Sequence, residues 1–392
     1  MTPPSTPHLE SSNDPQESST LSTAFNILVS TALLLNRPLA ASLPTPTIPN
    51  PMPPPPLIAC LESYINPALP IGTGIGTDTS APALHLLPST TLSKLKNVGP
   101  ARIKDMRALG HARQILSHVP IAATPATCTR FNDTLASVVQ INRDKFAALA
   151  VLPMDGREAA KELQRCVVKL KFVGGVLGLK PDGCGGLTLG NDLEEVWSVA
   201  ARYRVPVMLR DMWPLGTHLP VYQAGLADSV VAPLMTNMHT SHNHSPLPIL
   251  HLYLSGVFDR HPDLRIILAH PCLLPSLLPR IDTILALIPA ADKPTRGFLD
   301  VWQHNFYLAT ADVLDMSTMR TLLEQIPVDR VLYASNYPLE ERSRELMEEL
   351  KNSNFLTKEE WERLAWGNAE FVFGFKKEKE GKAKAYSSVT VS

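Results

Sequence analysis

The chain has 392 residues, 44% of them hydrophobic and 19% charged, which is the composition of an ordinary soluble globular protein. Its 36 basic and 37 acidic side chains give a net charge of −1 and form no basic stripe, which argues against a nucleic-acid partner and favours a small molecule. The five cysteines contain no Cys-x-x-Cys pair, so neither a zinc ribbon nor a disulfide framework is indicated, and we predict a reducing compartment, the cytoplasm.

The two ends of the chain differ in composition from its centre. Residues 1–56 are rich in Pro, Ser and Thr, and such a segment buries too little apolar surface to order itself, so we predict a disordered leader. Its apolar run from Ala24 to Leu35 is shorter than the about 20 residues that a membrane-spanning helix needs, and acidic residues precede it, unlike a secretion signal. The charge run after residue 375 predicts a solvated tail over 376–392. One domain, 57–375, remains.

Within 57–375, short apolar runs alternate with helical patterns. Runs that are apolar along their whole length are typical of parallel strands buried on both faces. The predicted strands are Leu57–Leu61, Gln114–His118, Phe146–Pro153, Phe172–Leu177, Val205–Arg210, Arg265–His270, Phe306–Thr310 and Val331–Asn336. Helices are predicted over Asp155–Lys169, Asn191–Tyr203 and Leu314–Gln325, and a capping box of Thr357 with Glu360 begins another. Eight βα units in series predict a (β/α)₈ barrel of the TIM type. The alternative, an open doubly wound sheet, lacks a glycine-rich phosphate loop after its first strand.

Three motifs carry a resemblance to a known family. Residues 254–270 read LSGVFDRHPDLRIILAH, residues 329–338 read DRVLYASNYP, and residues 172–176 read FVGGV. In order and spacing they resemble the branch of the amidohydrolase superfamily that holds aminocarboxymuconate-semialdehyde decarboxylase and the γ-resorcylate and orsellinate-type decarboxylases. The resemblance covers essentially the whole of 57–375. It implies a barrel enzyme that acts as a lyase on a small aromatic or polyketide-type acid.

The resemblance also implies a metal site, whose positions this chain fills with other residues. In the family, one zinc or manganese ion is bound at the ends of strands 1, 5 and 8, beside a second His that ends strand 6. The corresponding residues are Leu61 and Ser63, Arg210, Asn336 and, for the second His, His270. A guanidinium offers no lone pair and keeps its proton, so Arg210 opposes a cation there. We therefore predict that the enzyme has no metal and no cofactor.

The replaced positions predict a metal-independent lyase that decarboxylates or rearranges its substrate. Arg210 is the predicted binder of a carboxylate or enolate oxygen, and His270 the predicted proton donor or acceptor. Glu62 lies at the neighbouring strand phase, and we expect its side chain to point away from the barrel centre. The predicted substrate-binding residues, all at the ends of strands, are Ser63, His118, Thr310 and Asn336.

Two alternatives remain open from the sequence. In the first, the chain is a conventional metal-dependent decarboxylase whose ligands are recruited from His270, Asp211 and the loop that carries His239, His242 and His244. In the second, it is a non-catalytic partner subunit, because the family tends to form dimers; its partner is then a second copy or a paralogue. The leader and the divergent site favour an enzyme of secondary metabolism.

Overall fold

The computed structural model describes residues 57–69, 71, 81–179, 189–242, 246–271, 274–340 and 343–375. The predicted leader over 1–56 and the predicted tail over 376–392 lie outside these residues. No helix in the described part of the chain is both long and apolar enough to cross a membrane.

Eight parallel strands form one sheet whose spatial order is their chain order. They are β1 Leu57–Tyr64, β2 His111–His118, β3 Phe146–Val151, β4 Gly174–Leu179, β5 Val207–Asp211, β6 Ile266–Leu268, β7 Phe306–Ala309 and β8 Val331–Leu332. Each strand pairs in parallel with the next one along the chain. A doubly wound sheet would reverse this order partway, so the predicted (β/α)₈ barrel is confirmed.

Helices follow the strands along the chain. The α-helices are α1 Ser89–Lys96, α2 Pro100–Ala108, α3 Pro125–Ile141, α4 Gly156–Arg165, α5 Glu194–Tyr203, α6 Leu219–Gln223, α7 Asp228–His242, α8 Leu247–Leu254, α9 Val257–Arg260, α10 Leu274–Leu287, α11 Phe298–Asn305, α12 Met316–Gln325, α13 Ser343–Asn352, α14 Lys358–Glu362 and α15 Asn368–Val372. Two of them continue into π-helical turns, α4 through Cys166–Leu170 and α14 through Arg363–Gly367. The insertion between β5 and β6 is the largest, since it contains α6 to α9.

Alternate residues of one strand belong to two different apolar cores. In β3, Phe146, Ala148 and Ala150 pack with buried residues of the surrounding helices. The intervening Leu149 and Val151 pack with buried residues contributed by the other strands. Both faces of the strand are therefore covered, which explains why the strands read as continuous apolar runs and why the polar groups of the site lie at or beyond the carboxyl ends of the strands.

Candidate functional site

Arg210 lies near the end of β5 and is a buried cation, with 4% of its surface exposed. Its Nη2 donates to Ser63 Oγ of β1 at 2.7 Å, and its Nη1 donates to Ser117 Oγ of β2 at 3.4 Å. Because β5 lies opposite β1 in an eight-stranded ring, the side chain spans the interior of the barrel. Among the described residues, no carboxylate forms a salt bridge with this guanidinium. Burial lowers the pKa of Arg210 to about 10, while the charges of Glu62 and Asp211 oppose that change.

Two buried histidines near Arg210 are neutral. The Nδ1 of His118, at the end of β2, lies 2.7 Å from the next residue's carbonyl oxygen and donates to it, and the ring stacks on Phe131 at 4.4 Å. His239 of α7 donates from Nδ1 to a carbonyl of its own helix at 3.0 Å, and its ring lies 4.9 Å from that of Trp213. Burial, assisted by the charge of Arg210, lowers the pKa of each histidine to about 4. At neutral pH both histidines are therefore uncharged, and among these three side chains the guanidinium of Arg210 carries the positive charge.

His270 follows β6 and lies between two acidic side chains. Its Nδ1 is 4.0 Å from Asp211 Oδ2, at the end of β5, and its Nε2 is 3.9 Å from Asp312 Oδ1, which follows β7. Burial raises the pKa of Asp211 to about 7, with the charge of Arg210 acting in the opposite direction. The three titratable side chains therefore form a row in which a proton donor and acceptors are adjacent.

Asn336 and Thr310 lie at the ends of β8 and β7. Asn336 has a left-handed backbone with a φ of 55°, which Asn adopts more readily than most residues, and its Oδ1 is buried with no hydrogen-bond partner among the described residues. Thr310 Oγ1 accepts from Ala334 N at 3.0 Å and lies 3.3 Å from Ala334 O, so it joins the ends of the two strands. Thr310 also lines a small cavity with Ser335 and Leu346. The substrate-binding roles of Asn336 and Thr310 stay predictions.

Comparison with known proteins agrees with this fold and with the motifs. Residues 96–375 match the amidohydrolase family. The chain belongs to that family. It is 31% identical over 334 residues to the decarboxylase orsB of Emericella nidulans, a match that covers 83% of this chain and 99% of the relative. It is 29% identical over 297 residues to the γ-resorcylate decarboxylase of Polaromonas sp. strain JS666, covering 72% and 89%.

Solved structures of the family share the barrel. The dihydroxybenzoic acid decarboxylase of Polaromonas, solved with manganese and the inhibitor 2-nitroresorcinol, superposes with a TM-score of 0.62 at 26% identity, covering 82% of this chain and 97% of the other. The 2,6-dihydroxybenzoate decarboxylase of Rhizobium gives a TM-score of 0.63 at 24% identity, covering 82% and 99%, and supports the fold. Because its relatives are decarboxylases, this amidohydrolase is a carboxy-lyase-like enzyme, and the alternative of a non-catalytic partner subunit loses its support.

The bound manganese corrects one prediction. We predicted an enzyme with no metal and no cofactor, and that prediction is wrong, because a structural relative carries manganese and points to a metal-dependent family. The prediction took the loss of ligands at four positions as the loss of the metal itself. Substitutions in one chain show which ligands have changed, but they do not show what the chemistry of the whole family requires.

The residues at the family's ligand positions do not themselves fit a cation. Leu61 is buried in the apolar core, Ser63 accepts a hydrogen bond from Arg210, and a guanidinium cannot be a ligand. Among the described residues, no group of three or more His, Cys, Asp or Glu could hold a metal ion. His270 has acidic neighbours, but they face opposite nitrogens of one ring, whose lone pairs diverge, so one ion cannot bind all three groups in this arrangement.

The alternative set of recruited ligands is only partly brought together. Asp211 and His270 are neighbours, as that alternative requires. His239 instead packs against Trp213, with its Nδ1 engaged by the backbone. The side chain of His242 and the whole of His244 lie outside the described residues.

Two features of the site were not recognised from the sequence. Ser117 is a second hydroxyl beside Arg210, and Asp312 faces His270. Both lie at or just beyond the carboxyl end of a strand, which is where barrel enzymes place their active-site residues. That position is the signal by which the sequence could have indicated them. Nothing in the local sequence distinguishes them from the other polar residues at such ends.

Proposed function

We propose that this enzyme decarboxylates a hydroxylated aromatic acid, of the kind that its dihydroxybenzoate decarboxylase relatives act on, at the mouth of the barrel. The observation that carries the proposal is Arg210, a buried guanidinium whose hydrogen-bond partners are the hydroxyls of Ser63 and Ser117. A buried charge without an ion pair is costly, and a planar carboxylate is the ligand that a guanidinium binds best. A substrate carboxylate offsets that cost when it binds.

The chemistry requires a proton at the ring carbon that loses the carboxyl group. A hydroxyl group next to that carbon donates electron density, so the carbon can accept a proton; the carbon–carboxyl bond then breaks, its electrons return to the ring and CO₂ leaves. His270 is the proposed proton donor. Asp211 is the proposed group that returns a proton to His270, because its pKa of about 7 allows Asp211 to carry a proton near neutral pH.

Two of the remaining predicted residues, Asn336 and His118, are assigned to the ring and its hydroxyl groups. Asn336 has an unpartnered side-chain oxygen among the described residues, and we assign it a hydrogen bond to a ring hydroxyl. His118 is held neutral and fully buried beside Phe131, and we assign it to the wall around the ring. Ser63 keeps Arg210 in place from β1.

The test is a decarboxylation assay with the purified full chain. The acids are 2,6-dihydroxybenzoate and 5-carboxyvanillate, with benzoate as the control that lacks a ring hydroxyl, each assayed with and without added manganese. We expect CO₂ release from at least one hydroxylated acid and none from benzoate, and a loss of kcat of about 10²–10⁴-fold in His270→Gln. No turnover of any hydroxylated acid under either metal condition would overturn the proposal.

A second candidate keeps the same reaction but takes it through a bound metal. The observation in its favour is the manganese of the Polaromonas decarboxylase. It predicts that a chelator abolishes turnover, that manganese or zinc restores it, and that about one equivalent of metal is retained after purification. Turnover that persists at full rate in the chelated protein would count against it.

The predicted dimer, the cytoplasmic location and the role in secondary metabolism belong to this proposal as well. The dimer rests on the resemblance, and the role in secondary metabolism rests on the leader and the divergent site. Analytical ultracentrifugation of the full chain measures its oligomeric state, for which we expect two copies.

A further inference from the structure

The junction between β1 and β8, here called the seam, is where the barrel closes. β8 pairs with β7 over only Val331–Leu332, and it forms no regular ladder with β1 in the described chain. Among the described residues, Cys60 N donates across the seam to Tyr333 O at 2.9 Å, and Ser63 N donates to Tyr337 O at 2.8 Å. The amides of the segment after β8 therefore need other acceptors.

The carboxylate of Glu62 supplies those acceptors. Its Oε1 accepts from Ser335 N at 3.0 Å, and its Oε2 accepts from Ser335 Oγ at 2.8 Å and from Tyr337 N at 3.0 Å. The side chain has no exposed surface. The two backbone amides flank Asn336, the residue whose backbone is left-handed. A side-chain carboxylate thus does at the seam what strand carbonyls do between the other strands.

Two buried guanidiniums, those of Arg102 and Arg210, interact electrostatically with Glu62. Arg102 of α2 donates from Nη1 to Ser63 O at 2.9 Å. Burial raises the pKa of Glu62 to about 7, while the hydrogen bonds from Ser335 and Tyr337 and the charge of Arg102 act in the opposite direction. Arg210, whose Nη2 donates to Ser63 Oγ, is stabilised by the charge of Glu62 in turn. The backbone and the side chain of Ser63, the residue after Glu62, are therefore each held by one of the two cations.

We propose that Glu62 is a positioning residue of the candidate site, whose carboxylate fixes Asn336 and Ser63 on the two sides of the seam for a substrate bound at Arg210. This inference rests on the proposed function for its catalytic readout. It does not rest on that function for its structural readout, because the hydrogen bonds across the seam are measurable without a substrate.

The catalytic test compares Glu62→Gln with a matched control, Glu162→Gln. Glu162 is also a buried acid, but it joins Asn132 of α3 to Arg165 of α4, away from the seam. We expect Glu62→Gln to lower kcat for 2,6-dihydroxybenzoate at least about tenfold, since misplaced groups slow the chemical step. We expect no rise in KM, because removing a negative charge beside Arg210 does not weaken the binding of an anion. Glu162→Gln should change both constants less than about twofold.

The KM and kcat values separate positioning from general loosening of the fold. A folded Glu62→Gln protein with unchanged kcat would overturn the proposal, and so would one whose loss lies only in KM. If Glu62→Gln does not fold, Ser335→Ala takes its place, since it leaves the carboxylate intact and removes the hydroxyl that donates to Glu62 and accepts from Tyr337 N. It should lower kcat in the same direction by a smaller factor, and an unchanged kcat would again count against the proposal.

The structural test is amide hydrogen exchange of the peptide covering residues 333–340, measured by mass spectrometry without substrate. In Glu62→Gln, the one remaining side-chain oxygen can accept from only one of the amides of Ser335 and Tyr337, and an NH2 group faces the other. We therefore expect this peptide to exchange at least about tenfold faster than in the wild-type chain. Glu162→Gln should leave it unchanged. Equal exchange in all three proteins overturns the positioning role. Failure of the wild-type chain to decarboxylate any acid overturns only the proposed function.

Discussion

Arg210 differs from most buried charges in a barrel because its hydrogen-bond partners are neutral. We expect Arg210→Met to lower kcat/KM for 2,6-dihydroxybenzoate by about 10²–10³-fold, mainly through KM, because the substrate carboxylate loses a desolvated cation. Arg210→Lys keeps the charge but not the planar fork, so its loss should be smaller. Steady-state kinetics of the two variants measure the difference.

The control for Arg210 is Arg260→Lys, since Arg260 is an exposed residue paired with Glu194 on the outside of the barrel. This variant should behave as the wild-type chain does. An Arg210→Met protein that folds normally and keeps the wild-type KM would show that the substrate carboxylate binds elsewhere.

Asp211 makes the stability of the protein fall as the pH rises. Burial raises its pKa from 3.8 to about 7. A carboxyl group whose folded-state pKa is raised contributes stability that is fully present below its unfolded pKa and is lost as the pH rises through about 7. We therefore expect Asp211→Asn, which cannot ionise, to gain stability relative to the wild-type chain between pH 5 and pH 8, by on the order of 2–4 kcal/mol.

Urea unfolding of both proteins at pH 5 and pH 8 measures that gain. Asp315→Asn is the matched control, because hydrogen bonds from the first turn of α12 lower the pKa of this exposed carboxyl. It stays ionised in the folded and unfolded chains between those pH values, so its effect should be the same at both. An Asp211→Asn protein whose stability relative to wild type does not change with pH would mean that Asp211 is ionised in the folded chain at pH 5.

At the scale of the elements, local signals in the sequence placed the strands and several helix starts. Asp155, the first residue of the predicted helix Asp155–Lys169, caps α4 by accepting from Glu158 N at 2.9 Å. The ends of strands were predicted less well, and the reason is physical. The pattern predicted a strand from Val331 to Asn336, but β8 ends at Leu332 because a side chain, Glu62, replaces the ladder beyond it. An apolar pattern cannot show which groups will accept the hydrogen bonds.

The capping box at the start of α14 gives the prediction at this scale. Thr357 Oγ1 accepts from Glu360 N at 3.2 Å, and Glu360 Oε2 accepts from Thr357 N at 2.9 Å. Thr357→Ala removes the cap of the helix and should lower the free energy of unfolding by about 1 kcal/mol. Thr357→Ser keeps the hydroxyl and should cost less than half as much. Equal losses in the two variants, measured by urea unfolding, would show that the hydroxyl does not cap the helix.

At the scale of the whole molecule, the fold was predictable and the arrangement of the site was not. Eight apolar runs in series are enough to predict a barrel, because each strand pairs with the next one along the chain. The contact between Arg210 and Ser63 joins residues 147 positions apart across the interior, and no local pattern encodes it. The resemblance to decarboxylases indicated which strand ends matter, but it could not show that Asp211 and Asp312 flank His270. It also led us to read substituted ligands as an absent metal, which the family's manganese corrects.

Binding of a carboxylate inside the barrel should stabilise the whole fold. A ligand that binds only the folded chain adds a free energy of RT ln(1 + [L]/Kd), about 2.7 kcal/mol at 100 times Kd. We expect 2,6-dihydroxybenzoate to raise the Tm of the full chain by several degrees, and resorcinol, the same ring without the carboxylate, to raise it less. Differential scanning fluorimetry over a ligand titration measures both shifts, with manganese held constant. Arg210→Met should lose the difference between the two ligands while keeping the shift that resorcinol gives, because the ring still packs beside Phe131 and His118 but the carboxylate has no cation to meet. If both compounds stabilise the wild-type chain equally, the substrate carboxylate does not bind Arg210. Its subsite would then lie in another part of the barrel mouth.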